Sequence, residues 1–152
     1  MQTPKFGDFL LNDGTFVSAP TDAKKVKGIY LYDGISLIDF SPKRKTYRKA
    51  CHWCWEHGGN IASVKTLYFI IFHLEEINRI RESIGCEPLP KNLLVWSCGG
   101  LHGQVYTVFN YAVDFSTAAV HTLVGECVQL DDCSTANTIC VCGEPEKMSM
   151  GI

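Results

Sequence analysis

The chain has 152 residues, of which 46% are hydrophobic and 20% are charged, and its formal net charge is −2. This length fits one domain with one core, and the composition is that of a globular chain rather than a disordered one. The near-neutral charge gives no reason to expect nucleic acid as a partner. No apolar run approaches the ~20 residues of a membrane-spanning helix, and residues 1–11 lack the basic start and apolar stretch of a signal peptide. We therefore expect no membrane insertion.

The N-terminal quarter carries the turn signals of two β-hairpins. Residues 6–11 and 15–18 flank an Asn-Asp-Gly turn, and residues 28–32 and 36–40 flank the next Asp-Gly pair. Asn or Asp before Gly supplies the positive φ angles that tight hairpins need. The sequence therefore predicts four short strands before residue 41.

A first helix is predicted to begin at Ser41, with Pro42 in its first turn, and to run to about His57. Serine is a favourable cap, proline is tolerated at the first helical position, and the Gly-Gly pair at 58–59 ends the helix. One face of this helix is apolar and should be buried, with Trp55 at its edge. The residues on that face are Tyr47, Ala50, Cys51 and Cys54.

The second predicted helix is capped by Ser63 and ends at Gly85. Tyr68 and Phe72 are expected to widen its buried stripe. The stripe itself consists of apolar residues that recur at intervals of three and four: Leu67, Ile70, Ile71, Leu74, Ile77, Ile80 and Ile84.

After the second helix, short apolar or alternating runs replace the helical period. They predict strands at residues 93–96, 105–109, 111–115, 120–124 and 138–142. Strands, then two helices, then strands predict a single α+β domain over residues 1–152, with two helices packed on short antiparallel strands. Within it we expect N-terminal hairpins (1–40), two helices (41–85) and a strand- and loop-rich binding half (86–143).

Several short motifs share their layout with one family. Ala50 and Cys54 precede the Gly-Gly pair that ends the first helix, Trp96-Ser97 opens the second half, and residues 111–115 read Tyr-x-Val-x-Phe. In this combination the chain resembles the C-type lectin fold, and more closely the bacterial and phage ligand-binding domains of that fold. The resemblance covers nearly the whole chain and implies a domain that works by binding.

The chain departs from that family at some of its motifs. Residues 60–63 read Asn-Ile-Ala-Ser where the family has Trp-Arg-Leu-Pro, and no Val-Arg pattern stands at residues 139–142. Calcium-dependent sugar binders of the fold use Glu-Pro-Asn and Trp-Asn-Asp triplets, whose oxygens hold the metal. Residues 87–89 and 96–98 read Glu-Pro-Leu and Trp-Ser-Cys instead, so we expect no calcium-mediated sugar recognition.

One branch of the resemblance is more specific. The variable proteins of diversity-generating retroelements use such a domain as a rigid platform and randomise surface positions near its C-terminal end. The mix of Gly, Leu, His, Cys and Thr in the second half, including Cys98, Cys127 and Cys133, is typical of that randomisation. The resemblance implies a variable adhesin or phage-tail receptor-binding protein on a virion or bacterial cell surface, with a protein or glycan receptor as its partner.

Candidate binding residues lie in the glycine-rich loops of the second half, since loops on a stiff scaffold usually carry specificity. Along residues 111–115 the odd positions look like core, which turns the even ones outward. The expected binding residues are Cys98, Gly99, Gly100, Leu101, His102, Gln104, Tyr106, Thr107, Ala112, Asp114, Thr117, Ala119, His121, Cys127 and Gln129.

The eight cysteines could pair in an oxidising compartment and should stay thiols in a reducing one. Cys51 and Cys54 have the spacing of a zinc or dithiol half-site, which Cys140 and Cys142 could complete. A haem attachment would need histidine where Trp55 stands. Because both helix cysteines fall on the buried face, we interpret them as small core residues and expect no metal and no cofactor.

Catalysis is a further alternative. Formylglycine-generating enzymes resemble this fold, but they carry arginine-rich motifs in the C-terminal half. The last arginine of this chain is Arg81, so its C-terminal half lacks such motifs. Cys98 and His102 could form a nucleophile pair, yet no orienting partner is recognisable. The basic run at residues 43–49 could contact phosphate and is interpreted as a solvated helix face. We expect a non-enzymatic binding module; the alternatives are an enzyme of formylglycine-generating type and a zinc-stabilised interaction domain.

Overall fold

The computed structural model describes residues 4–11, 16–17, 26–98, 107–127 and 134–143. These residues form three helices: α1 (Tyr47–Glu56), α2 (Val64–Phe72) and α3 (Leu74–Ser83). They also form nine strands: β1 (Phe9–Leu11), β2 (Phe16–Val17), β3 (Val26–Tyr32), β4 (Ile35–Lys45), β5 (Asn60–Ile61), β6 (Leu94–Trp96), β7 (Thr107–Asp114), β8 (Val120–Cys127) and β9 (Ala136–Cys142). The fold is mixed α+β, as the sequence predicts. Within these ranges, every helix is too short or too polar to cross a membrane.

The described strands join in one sheet, in the order β2-β1-β3-β4-β9-β6-β7-β8, with β5 beside β9. Neighbouring strands run antiparallel, except that β6 runs parallel to β9. The first predicted hairpin is confirmed by the pairing of Phe9 with Val17, although its turn lies outside the described residues. The second is confirmed at Asp33 and Gly34, which turn between β3 and β4 with φ angles of 46° and 80°.

The central strands are buried on both faces of the sheet. Successive side chains of a strand point to opposite faces. Val95 and Val113 pack on the face that α2 and α3 cover, whereas their neighbours Trp96 and Ala112 pack on the face that α1 covers. Covering both faces explains why these strands read as continuous apolar runs.

The first helix begins later than the sequence predicts. Strand β4 continues to Lys45, and Pro42 lies where the β4–β9 register shifts after Ser41. Proline cannot donate to a strand ladder but is tolerated at such an irregularity, so Ser-Pro fits a strand bulge as well as a helix start. Thr46 caps the helix instead, since its Oγ1 accepts a hydrogen bond from Lys49 N at 3.4 Å.

Glycine is required at both positions that end the turn after α1, for a different physical reason at each. Gly58 has a φ of +83°, a conformation that favours glycine. At Gly59 the reason is space, because a Cβ there would lie 2.6 Å from Cys140 Sγ. The predicted end of the helix is therefore confirmed, and it is fixed by contact with β9.

The second predicted helix is two helices, separated at His73, which has φ −114° and ψ 24°. Its start after Ser63 and its end before Gly85 are confirmed. Hydrogen bonds continue through the break, from His73 N to Phe69 O at 3.1 Å and from Ile77 N to His73 O at 2.9 Å. The apolar repeat passes through the break unchanged, which is why the sequence pattern gives no sign of it.

Two aromatic side chains that were predicted at the edge of a buried stripe are exposed: Phe72 by 78% and Trp55 by 58%. Phe72 follows the buried Ile70 by two positions and so lies on the opposite face of α2. On α1, Trp53 packs at the edge of the core in place of Trp55, and Cys51 is half-buried rather than fully buried.

The second half has fewer and longer strands than the sequence predicts. The separate strands predicted at 105–109 and 111–115 form a single strand, β7, in the part that is described from residue 107 on. Strand β8 continues beyond the predicted 120–124, and β9 begins before the predicted 138–142. Asn110, which lies between the two predicted strands, is buried within β7.

Trp96 connects β6 to the end of β4 and to α1. It is fully buried, and its Nε1 donates to Lys45 O at 2.8 Å. Its ring meets that of Tyr47 edge-on, at a centroid distance of 5.5 Å. One side chain therefore holds three elements together.

Replacing Trp96 with Phe should lower the free energy of unfolding by about 2–4 kcal/mol, because it leaves a cavity and a carbonyl oxygen without its donor. The same replacement at the exposed Trp55 should cost less than ~1 kcal/mol. Urea denaturation followed by circular dichroism measures both changes. Equal losses at the two positions would contradict this role for Trp96.

Candidate functional site

The turn between β7 and β8 is fixed by hydrogen bonds around Asp114. Its Oδ1 accepts from Ser116 N at 2.9 Å and from Ser116 Oγ at 2.6 Å. The main chain of Asp114 accepts from Ala118 N at 2.7 Å and donates to Ala119 O at 2.9 Å. The hydrogen bonds from Ser116 hold the pKa of the exposed Asp114 carboxyl below its ordinary value. Ala118 takes a left-handed conformation, with a φ of 61°.

Side chains of this turn and of the adjoining part of β8 are exposed. We call this group the hairpin surface; its members are Thr117, Ala119, Val120, His121 and Thr122. Three of the predicted binding residues, Thr117, Ala119 and His121, lie in it, and Asp114 holds the turn from below. Val120 is a large hydrophobic residue with 41% of its surface exposed. The structure therefore brings together the predicted residues of this part of the chain.

Two predicted binding residues are not on the surface. Cys98 is 5% exposed and its N–H donates to Ala62 O at 3.0 Å, while Ala112 is fully buried. Both belong to the core cluster on the face that α1 covers. The sequence prediction for Ala112 was wrong because it assumed that one face of β7 meets solvent.

The side chains of the remaining predicted binding residues are not among those that the structure describes. Gly99, Gly100, Leu101, His102, Gln104, Tyr106 and Gln129 lie outside the described residues. Thr107 and Cys127 are described as backbone only, and they pair with each other at the ends of β7 and β8. The alternative that pairs Cys98 with His102 as a nucleophile therefore has no described geometry.

Cysteines 54 and 140 form a buried thiol pair between α1 and β9. Cys140 Sγ donates to Cys54 O at 3.6 Å, and Cys54 Sγ lies 4.0 Å from Ile139 O. The hydrogen bond with Cys140, together with burial, raises the pKa of the Cys54 thiol far above its ordinary value. None of the six described cysteines is in a disulfide, and no group of three or more metal-ligating side chains gathers within the described ranges. A thiol held in its protonated form is a poor nucleophile.

Arg81 is a buried charged residue outside these sites. Its Nε donates to Glu87 O at 2.9 Å, and burial lowers the pKa of its guanidinium. Asn78 makes a second connection to the same segment, since its side chain bonds both N and O of Leu89 at 2.6 and 3.0 Å. These contacts fix the segment that joins α3 to β6, so the role of Arg81 is structural.

Two open grooves were not predicted from the sequence. The first, of about 710 Å³, lies at the junction of α2 and α3 and is lined by Phe72, Arg79 and Lys91 among others. The second, of about 610 Å³, lies between the end of β4 and α1 and is lined mainly by basic side chains. The basic run at 43–49 was the signal for it, but the predicted single helix would have spread these residues around a cylinder.

A scan of protein-family models and searches of curated proteins and of solved structures found no match to this chain.

The thiol of Cys54 should not react with iodoacetamide at pH 8 in the folded protein, because it is buried and its raised pKa keeps it protonated. In denaturant it should react at the rate of an ordinary cysteine. Peptide mapping by mass spectrometry measures both rates, with half-buried Cys142 as the internal control. Native labelling of Cys54 as fast as that of Cys142 would show that the pair is open.

The hydrogen bonds from Ser116 should make a small contribution to stability that depends on pH. A carboxyl whose pKa is lowered in the folded state stabilises it above about pH 4 and loses that contribution as the pH falls through the lowered value. A Ser116→Ala variant should therefore be less stable than the wild type at pH 7 and equal to it at strongly acidic pH. Urea denaturation across this range measures the difference. A difference that does not change with pH would mean that the Asp114 charge is not involved.

Proposed function

We propose that this chain is a non-enzymatic ligand-binding domain of the C-type lectin type, and that it recognises a protein or glycan receptor through the hairpin surface. Further, we propose that it is a variable adhesin or phage receptor-binding protein, diversified at surface positions of its second half. Three observations support the proposal: the mixed α+β fold, the exposure of a group of side chains on the hairpin surface, and the paired, partly buried strands that carry them.

The exposed group on a fixed turn is the observation that carries the proposal. The hairpin surface includes an apolar side chain, Val120, and an imidazole, His121, and the Asp114 carboxylate beside it accepts hydrogen bonds from Ser116. Binding surfaces are typically poor in charge at their centre and rich in apolar and aromatic contacts. The chemistry of this surface therefore suits contact recognition more than acid–base catalysis.

The support beneath the hairpin surface is rigid. Seven registered pairs join β7 to β8, from Thr107–Cys127 to Val113–Val120. Below the turn, Val113 is fully buried, and Phe115 N donates to Leu93 O at 2.8 Å. A preorganised support lets the side chains above it change at little cost to folding, which is what a diversified binding protein needs.

The structure suggests a direct comparison between two alanines of the same hairpin. Ala119→Leu, at an exposed position, should change the free energy of unfolding by less than ~0.5 kcal/mol. Ala112→Leu, at a fully buried position, should lower it by about 1–3 kcal/mol through overpacking. Thermal and urea denaturation measure both. If Ala119→Leu costs as much as Ala112→Leu, the hairpin surface is not free to vary.

Binding itself can be tested with intact bacterial cells and with a glycan array as probes. The labelled protein should bind at least one cell type or glycan, and the double variant Thr117→Glu/His121→Glu should lose that binding while its circular dichroism spectrum shows that it stays folded. Arg79→Gln/Lys91→Gln, which alters exposed residues on the α3 side, is the control and should bind like the wild type. Unchanged binding by the first variant, or no binding to any probe, would refute the assigned surface.

Genomic sequence tests the diversification separately. A near-copy of the segment that encodes the C-terminal third should lie beside a reverse transcriptase gene and should differ from it mainly where the copy has adenine. The absence of such a copy would remove the retroelement from the proposal and leave the binding function to the cell and glycan experiments.

A further inference from the structure

A groove with a strongly basic lining lies between the end of β4 and helix α1. It has a volume of about 610 Å³, and we call it the basic groove. The side chains that matter for its chemistry are Lys43, Arg44, Lys45, Lys49, His52 and Trp53. Glu56 lines its far end, so the positive charge is concentrated at the end nearer to β4.

Within the part of the chain that the structure describes, no ion pair neutralises the lysine and arginine side chains of the basic groove. Lys43, Arg44 and Lys49 are exposed, and none of them forms an ion pair with a carboxylate of the described residues. The first turn of α1 contains no acidic residue. The N-terminal end of a helix already carries partial positive charge, so placing lysine and arginine there is unfavourable unless an anion is bound.

The backbone that carries these charges is held in place from both sides. Asn137 Nδ2 donates to Pro42 O at 2.9 Å, immediately before the basic residues. Trp96 Nε1 donates to Lys45 O at 2.8 Å, immediately after Lys43 and Arg44 in the chain. Both donors come from buried residues of the sheet. The charged side chains therefore project from a fixed backbone and not from a free loop.

The surroundings of Trp53 favour tetrahedral oxyanions over single-stranded nucleic acid as ligands of the basic groove. One side of its ring is approached by Lys45 Nζ, 5.8 Å from the centroid, and the ring also packs against His57 at a centroid distance of 4.1 Å. Single-stranded nucleic acid binds largely by stacking bases on open aromatic faces, whereas this half-buried ring already has His57 and Lys45 against it. The groove offers cationic groups and a helix end, which suit tetrahedral oxyanions.

We propose that the basic groove binds the phosphate or sulfate groups of an anionic glycan. The proposal is independent of the hairpin surface and would place a second binding site on the domain. Lys43 and Lys49 supply charge from β4 and from α1, on the two sides of the groove, and repeated anionic groups along a sugar chain would match such a spread of cations. The attraction is electrostatic and should weaken as salt is added.

Surface plasmon resonance with the full chain tests the proposal on three immobilised probes: heparin as a sulfated glycan, phosphomannan as a phosphorylated glycan, and oligothymidylate as single-stranded nucleic acid. We expect binding to heparin or to phosphomannan, and the tighter of the two identifies the source of the oxyanion. This binding should weaken at least about tenfold between ~50 and ~300 mM sodium chloride.

Matched variants assign the binding to the groove. Lys43→Gln/Lys49→Gln should weaken the glycan affinity at least about tenfold. Arg79→Gln/Lys91→Gln removes the same charge from the α3 side, and its glycan affinity should stay within about twofold of the wild type. Thr117→Glu/His121→Glu adds negative charge, so it is compared with the wild type at ~150 mM salt, where its glycan affinity should also stay within about twofold. Since removal of unpaired like charges relieves repulsion, the groove variant should melt no lower than the wild type.

Three outcomes would overturn the proposal. They are equal loss of affinity in the groove variant and in Arg79→Gln/Lys91→Gln, tighter binding to oligothymidylate than to either glycan at the same salt, and no binding to any probe at low salt. None of these outcomes concerns the hairpin surface, so the proposed receptor binding stands or falls on its own experiment.

Discussion

Strand β9 is buried on both faces, and the rest of the fold depends on this double burial. Every side chain from Ala136 to Val141 is buried. Ile139 faces α2 and α3, and Cys140 faces α1 so closely that the turn after α1 has room only for Gly59. Three strands, β4, β5 and β6, pair with β9. A side chain of different size in this strand would therefore displace a helix on one face or the other.

The start of β9 also fixes the positions of both candidate binding surfaces. The Asn137 side chain bonds Pro42 O of β4 and Leu94 N of β6, at 2.9 and 3.4 Å. Leu94 in turn is paired with Asp114, which holds the turn beneath the hairpin surface. A buried amide must satisfy its donors and acceptors, so it specifies the relative positions of the strands around it. One polar residue in the core thus connects the basic groove with the hairpin surface.

The sequence predicted what depends on local chemistry. Turn residues located the two N-terminal hairpins, Ser63 located the start of α2, and the apolar repeat identified the helices, because each signal acts within a few residues. The sequence-based predictions failed where burial or strand length depends on contacts with residues distant in the chain. Nothing near Ala112 shows that α1 covers it, and nothing near Pro42 shows that β9 extends β4 to Lys45. The basic groove was missed for the same reason, since its two sides come from a strand and a helix that the sequence pattern merged into one.

The two surfaces lie at the same end of the sheet and differ in chemistry. Strands β4 and β7 are three places apart in the sheet, which corresponds to roughly 14 Å at ~4.8 Å per strand. This exceeds the Debye length of about 8 Å at physiological salt, so side-chain changes on the hairpin surface hardly alter the potential in the groove. Charge chiefly governs how fast a partner is captured, whereas close contacts govern which partner is kept. A domain with both surfaces can therefore exchange contact residues on the hairpin while its attraction for an anionic surface stays constant.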